Sequence, residues 1–164
     1  MTESLAQCLE SLGADADTVQ QAARYYLAER TDDLEYEDMR AEVLSAASDP
    51  AKAEQLLQLL TVHSGHLEQG ALLILSAAWE DPDEAELVRN ALLDAKAKLP
   101  VIETAILGIV VMYGMYLITT RNRKTHKRTV HRTEKGFTES VETEYFPPSH
   151  PFSALVRLFN QPPP

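Results

Sequence analysis

His63 and His66 stand three residues apart with Glu68 close behind. On a continuous helix that spacing would hold a divalent metal. Ser64 and Gly65 separate the two histidines, so 62–65 reads as a turn between helices, and no third strong ligand follows at a diagnostic spacing. The histidines are expected as exposed turn residues, and no metal is assigned. Cys8 falls on the apolar face of the first expected helix with no base or cation beside it in the pattern, which points to packing rather than nucleophilic chemistry. The acidic clusters at 32–38 and 80–86 contain no glycine-bearing calcium loop. Both sit where helices are expected to start, and there carboxylates favour the helix dipole. The chain holds no phosphate-cradling glycine loop, no G-x-S-x-G and no H-E-x-x-H. No catalytic residue, cofactor or small-molecule substrate is indicated, and the chain is read as a non-enzyme.

The basic stretch KTHKRTVHRTEK at 124–135 has the charge to neutralise phosphates. It lacks aromatic residues on which bases would stack, and the strand that follows it carries Glu139, Glu142 and Glu144. Nucleic acid is therefore not the expected partner. The net charge of −10 is unevenly spread: residues 1–100 hold 20 acidic and 7 basic residues, and residues 101–164 hold 5 and 8. Such a division suits an internal electrostatic dock or a basic arm offered to an anionic partner.

Six helices are expected to precede this arm. Leu5, Cys8, Leu9 and Leu12 share a helical face, and Gly13 suits the left-handed residue that ends a helix. Asp15 or Asp17 caps a second helix bearing Val19, Ala22, Ala23, Tyr26 and Leu27. A third runs over about 34–47, capped by Asp32 or Asp33. Asp49-Pro50 and Asp81-Pro82 each supply a cap followed by a proline at the first helical position. They open the fourth and sixth helices, with a fifth over about 66–79 between them. The echo of DPAKAE and DPDEAE, 32 residues apart, is read as shared helix-start grammar rather than as a structural repeat, since the residues that follow do not match.

After these comes an uncharged run of seventeen residues, 104–120, stopped by Arg121, Arg123 and Lys124. Counted from Leu99 it reaches the 20 or so residues of a bilayer crossing, with Glu103 inside it. A helix apolar on all sides equally suits the centre of a bundle, and six amphipathic helices need such an object to bury against. The bundle centre is the favoured expectation and a single inner-membrane crossing the alternative. Ile106, Ile109, Val110, Tyr113 and Leu117 are its candidate contact residues.

Beyond it the period changes to alternation, rich in Thr and Val, around Lys135-Gly136, which predicts a β-hairpin. A two-residue turn at 135–136 sets Arg132 opposite Glu139, Val130 opposite Val141 and Lys127 opposite Glu144. A three-residue loop with Gly136 in a left-handed bulge is the competing register and flips the faces of one strand. Pro147, Pro148 and Pro151 end the hairpin, and 152–159 reads as a short amphipathic helix or extended anchor before a frayed tail.

The order from Leu99 onward is an apolar helix, a basic break, an alternating hairpin and a proline-rich end. It resembles the small constant components that accompany effector modules in actinobacterial conflict systems. The resemblance covers the last third of the chain and rests on pattern. It implies an accessory or scaffolding protein in a bacterial defence operon, without catalysis, and it carries over no functional residue.

The chain is thus expected to be mainly α, in three segments: an acidic helical region at 1–99, an apolar helix at 100–120, and a basic hairpin with a proline-rich tail at 121–164. The single cysteine suits a reducing compartment, and no basic and apolar leader pattern opens the sequence, so a cytoplasmic location is expected. The expected function is protein interaction, with a protein partner or a second copy engaged by the hairpin. Two strands alone are marginal in water, and open strand edges accept further strands. Lys127, Arg128, Arg132, Glu139, Glu142 and Tyr145 are the candidate partner-binding residues. A membrane-anchored or membrane-active protein using 104–120 is the alternative.

Overall fold

A computed structural model describes residues 3–32, 34–46, 49–62, 64–97, 104–121, 125–134 and 136–144. Expectations for His63, Tyr145 and the 152–159 segment lie outside the described residues. Seven helices precede an antiparallel hairpin. The first is α1 (Leu5–Leu12), opened by a capping box. The Gln7 amide donates to Ser4 Oγ at 3.1 Å, and the Ser4 amide donates to Gln7 Oε1 at 2.9 Å. Gly13 closes it in the left-handed conformation, at φ 61°, where a side chain would be strained.

Asp15 caps α2 (Ala16–Arg30), accepting from the Thr18 amide at 2.8 Å and the Thr18 hydroxyl at 2.7 Å. These bonds, the hydroxyl's first, hold the Asp15 carboxyl below its ordinary value. Helix α3 (Tyr36–Ala46) starts two residues later than the sequence suggests. Asp32 sits at φ 57° in the preceding turn, so the chain is still turning there rather than capping. Asp49 and Asp81 open α4 (Pro50–Val62) and α6 (Pro82–Ala97) as expected, accepting from the Lys52 and Asp83 amides. Between them runs α5 (Ser64–Trp79), which begins two residues earlier than expected.

The apolar run forms α7 (Thr104–Arg121), and α2, α3, α4 and α5 all pack on it. Leu107, Val110, Val111, Met112, Tyr113 and Met115 are buried, while Ile106, Ile109 and Leu117 are partly buried. Burial of each large side chain contributes about 1.5–3 kcal/mol. Two glycines set the close approach. A Cβ on Gly70 of α5 would collide with Val111, and one on Gly114 of α7 would collide with Ile74. Tyr113 is buried in this packing; burial, and then a hydrogen bond to the Glu42 carboxylate, push its pKa far above the ordinary value. Among the described residues no helix is long and apolar enough to cross a membrane. At about 1.5 Å per residue, the 18 residues of α7 reach roughly 27 Å, slightly less than a hydrocarbon core of about 30 Å.

The hairpin joins β1 (Thr125–Thr133) to β2 (Gly136–Glu144). Its register differs from the expected one by two residues. Thr133 faces Gly136, Arg132 faces Phe137, Val130 faces Glu139 and Lys127 faces Glu142. A slide of two keeps the alternation of faces intact, whereas the competing bulged register would have reversed one strand. Strand β1 packs on α5 and β2 touches α1, so the three sequence segments fold onto one another.

Candidate functional site

The hairpin is held on the bundle at its turn end. Val130 is buried, and its amide donates to Ser76 Oγ on α5 at 3.0 Å. That amide points away from β2, so the outer side of β1 is turned towards α5. Arg132 supplies the second hold. Its Nε donates to both Glu68 oxygens, at 2.8 and 2.9 Å, its Nη2 donates to the Ala14 carbonyl at 3.2 Å, and its guanidinium lies 4.7 Å from the Phe137 ring centroid. The Glu68 side chain is only 11% exposed, so this pair works at reduced dielectric, and the Nε–H shared between its two oxygens satisfies a carboxylate that burial would otherwise penalise.

Glu10 makes the third hold, from α1. Its Oε1 accepts from the Phe137 amide at 3.3 Å. Gly136, at φ 136°, sits so close that a Cβ there would come within 3.1 Å of the same oxygen. The acidic bundle therefore uses two of its carboxylates to seat the hairpin. One residue of the basic arm, Arg132, thus pairs with a carboxylate of the acidic bundle.

These contacts also orient the strand edges. In an antiparallel pair, opposed residues alternate between exchanging hydrogen bonds and directing them outward. The Val130 amide is directed outward, so Val130 and Glu139 form a pair of the second kind, and positions 139, 141 and 143 direct their backbone groups to the outer side of β2. Glu10 takes the outward amide at Phe137. Beyond it, from Glu139 to Glu144, no further strand pairs with β2 among the described residues. β1 is thus the inner strand and β2 the outer one.

The candidate residues divide accordingly. Arg132 is an internal clamp, paired with Glu68 instead of Glu139. Glu139 is exposed near the start of the open edge. Lys127 and Arg128 stand in register with Glu142 and Val141. Of the α7 candidates, Val110 and Tyr113 serve the core, Ile106 and Ile109 its flank, and Leu117 a cavity wall. Sequence reasoning missed Glu68, Ser76, Glu10 and the Ala14 carbonyl as seating groups. One signal was present: Glu68 is the one Asp, Glu, Lys or Arg residue in α5, a helix rich in Leu and Ala, and a lone carboxylate buried on such a helix needs a partner.

Elsewhere, Glu68 is occupied by Arg132, and no cluster of three metal-ligating side chains occurs among the described residues. Cys8 is buried, and desolvation, then Glu3, raise its thiol pKa above the ordinary value. A cavity of about 250 Å³ lies between α2, α5, α6 and α7. Tyr26, Arg30 and Glu84 line it and satisfy one another: the Tyr26 hydroxyl donates to Glu84 Oε2 at 2.7 Å, and Arg30 Nε lies 3.0 Å from Glu84 Oε1. The Arg30–Glu84 contact is an ion pair without hydrogen-bond alignment. The Glu84 carboxylate is thus committed to Tyr26 and Arg30, and the strand edge is taken as the candidate site. A scan against protein-family models, a search of curated proteins and a search of solved structures each found no match to this chain.

Proposed function

We propose that this is a non-enzymatic interaction or scaffolding protein that binds a protein partner by strand addition to the outer edge of β2. One observation carries the reading: β1 is edge-docked on α5 through the Val130 amide, and among the described residues no further strand pairs with β2 from Glu139 to Glu144, which leaves β2 as the outer strand. A rigidly seated strand with an open edge gives a partner both a hydrogen-bonding template and a fixed register. The seven helices act as the mount that a lone hairpin needs in order to persist. A role as an accessory component of a bacterial defence system fits this reading, since such a component would recruit rather than catalyse.

A peptide-display selection against the full chain tests the proposal. Extended sequences should be enriched by the wild-type protein and by Glu86→Ala, a surface change on α6. They should not be enriched by Val141→Pro, which removes an outward amide without breaking the β1–β2 ladder. Absence of enrichment, or enrichment indifferent to the proline, would refute strand addition.

A further inference from the structure

We infer that the strand added to β2 is a basic extended segment of a different protein, with Lys or Arg at alternate positions; this inference rests on the strand-addition reading above. The open edge has a defined start. Glu10 occupies the outward amide at Phe137, so an added strand begins its pairing at Glu139 and continues through 141 and 143. Across this length β2 carries Glu139, Glu142 and Glu144 and no Lys or Arg; Lys127 of β1 stands opposite Glu142, while Glu139 and Glu144 stand opposite Val130 and Thr125 and have no basic residue directly across. Glu134, exposed at the turn, extends the negative charge. Positions 142 and 144 are two apart and so share one face of the pleat. A cation at every second residue of the incoming strand matches that spacing, and opposite charges across strands stabilise a pair where like charges destabilise it.

Charge also argues against a second copy of this chain. Two β2 strands side by side would gather six glutamates with no basic residue on either strand. The basic strand β1 is not available to a second copy either, because its outer side is already turned to α5. Electrostatic attraction would steer a basic segment to the edge and reject an acidic one, and salt would weaken the selection.

The test uses the full chain and three blocked, labelled heptapeptides that alternate valine with lysine, with glutamine or with glutamate. Binding is read by fluorescence anisotropy at low and high salt. The lysine peptide should bind at least tenfold more tightly than the glutamine peptide, the glutamate peptide should bind most weakly, and added salt should narrow the differences. Val141→Pro should abolish binding while the Val130 amide stays protected from exchange. If that variant loses the hairpin, Thr143→Pro, at the next outward position, takes its place. Equal binding of the lysine and glutamine peptides, both lost with the proline, would overturn the basic partner and leave strand addition standing. Binding indifferent to the proline, or no binding by any peptide, would overturn both. A dimer of the wild-type chain in light scattering that the proline variant cannot form would replace the basic partner with a second copy.

Discussion

Replacing Arg132 with alanine removes the cation that seats the hairpin. Glu68 would lose both of its hydrogen bonds to Nε, the Ala14 carbonyl would lose its donor, and Phe137 would lose its stacking cation. Removing one partner of a fully buried ion pair costs about 3–5 kcal/mol. Here the Arg132 side chain is 36% exposed, so water would reach the abandoned carboxylate, and about 2–3 kcal/mol is the expected loss. The loss falls on the seating of the hairpin before it falls on the bundle, because, the Phe137 contact within the hairpin apart, the contacts named join the hairpin to α5 or to the turn between α1 and α2. Native-state hydrogen exchange of the Val130 amide reads that opening directly. Exchange should accelerate about 30- to 150-fold, the equivalent of 2–3 kcal/mol. In a thermal melt, at about 2–4 °C per kcal/mol for a chain of this size, the midpoint should fall by roughly 4–12 °C if hairpin and bundle melt together. Glu68→Ala should reproduce the effect, and the double variant should cost much less than the sum of the two. Unchanged exchange at Val130 in Arg132→Ala would refute the clamp.

Three further outcomes follow from the packing and the caps. Val110→Asp places an unpaired carboxylate at a position 1% exposed, and should cost several kcal/mol and lower the melting midpoint of the helical signal; a melt unchanged from wild type would show that α7 is not the core of the bundle. Gly114→Ala forces a methyl group against Ile74 and should destabilise by about 1–3 kcal/mol, with partial recovery in Gly114→Ala/Ile74→Val, read by denaturant melts. Asp15→Ala should cost about 1 kcal/mol at pH 7. The folded pKa of Asp15 is depressed, so its contribution is complete above the unfolded value of about 3.9 and disappears as pH falls through the lower folded value. The gap between wild type and Asp15→Ala should therefore close in acid, and a gap independent of pH would contradict the cap.

Much of the fold was legible because it is written locally. Asp49-Pro50 and Asp81-Pro82 announce helix starts, Gly13 announces an end, and the change from helical to alternating period marks the hairpin. The features that were not legible depend on distant partners. The expected register sets Arg132 opposite Glu139 within its own hairpin, but its partner Glu68 lies 64 residues back in the chain. The expected register places a two-residue turn at 135–136, which brings Val130 opposite Val141. In the folded chain the strands end at Thr133 and Gly136, with Phe137 brought beside Arg132 and Gly136 against Glu10. The apolar run left two destinations open because composition is the same for a bundle centre and a bilayer helix. In the folded chain α2, α3, α4 and α5 pack on α7, and the missing side chains of Gly70 and Gly114 admit Val111 and Ile74.

The most direct measurement of the central claim is residue-resolved amide exchange along β2 in the full chain. With β1 seated on α5 and β2 outermost, the amides at 138, 140 and 142 should exchange slowly through the β1–β2 ladder. Those at Val141 and Thr143 should exchange at rates close to an unprotected strand, and a bound strand should slow them alone. Slow exchange at Val141 and Thr143 in the free protein would mean that the edge is already covered, and would contradict the account.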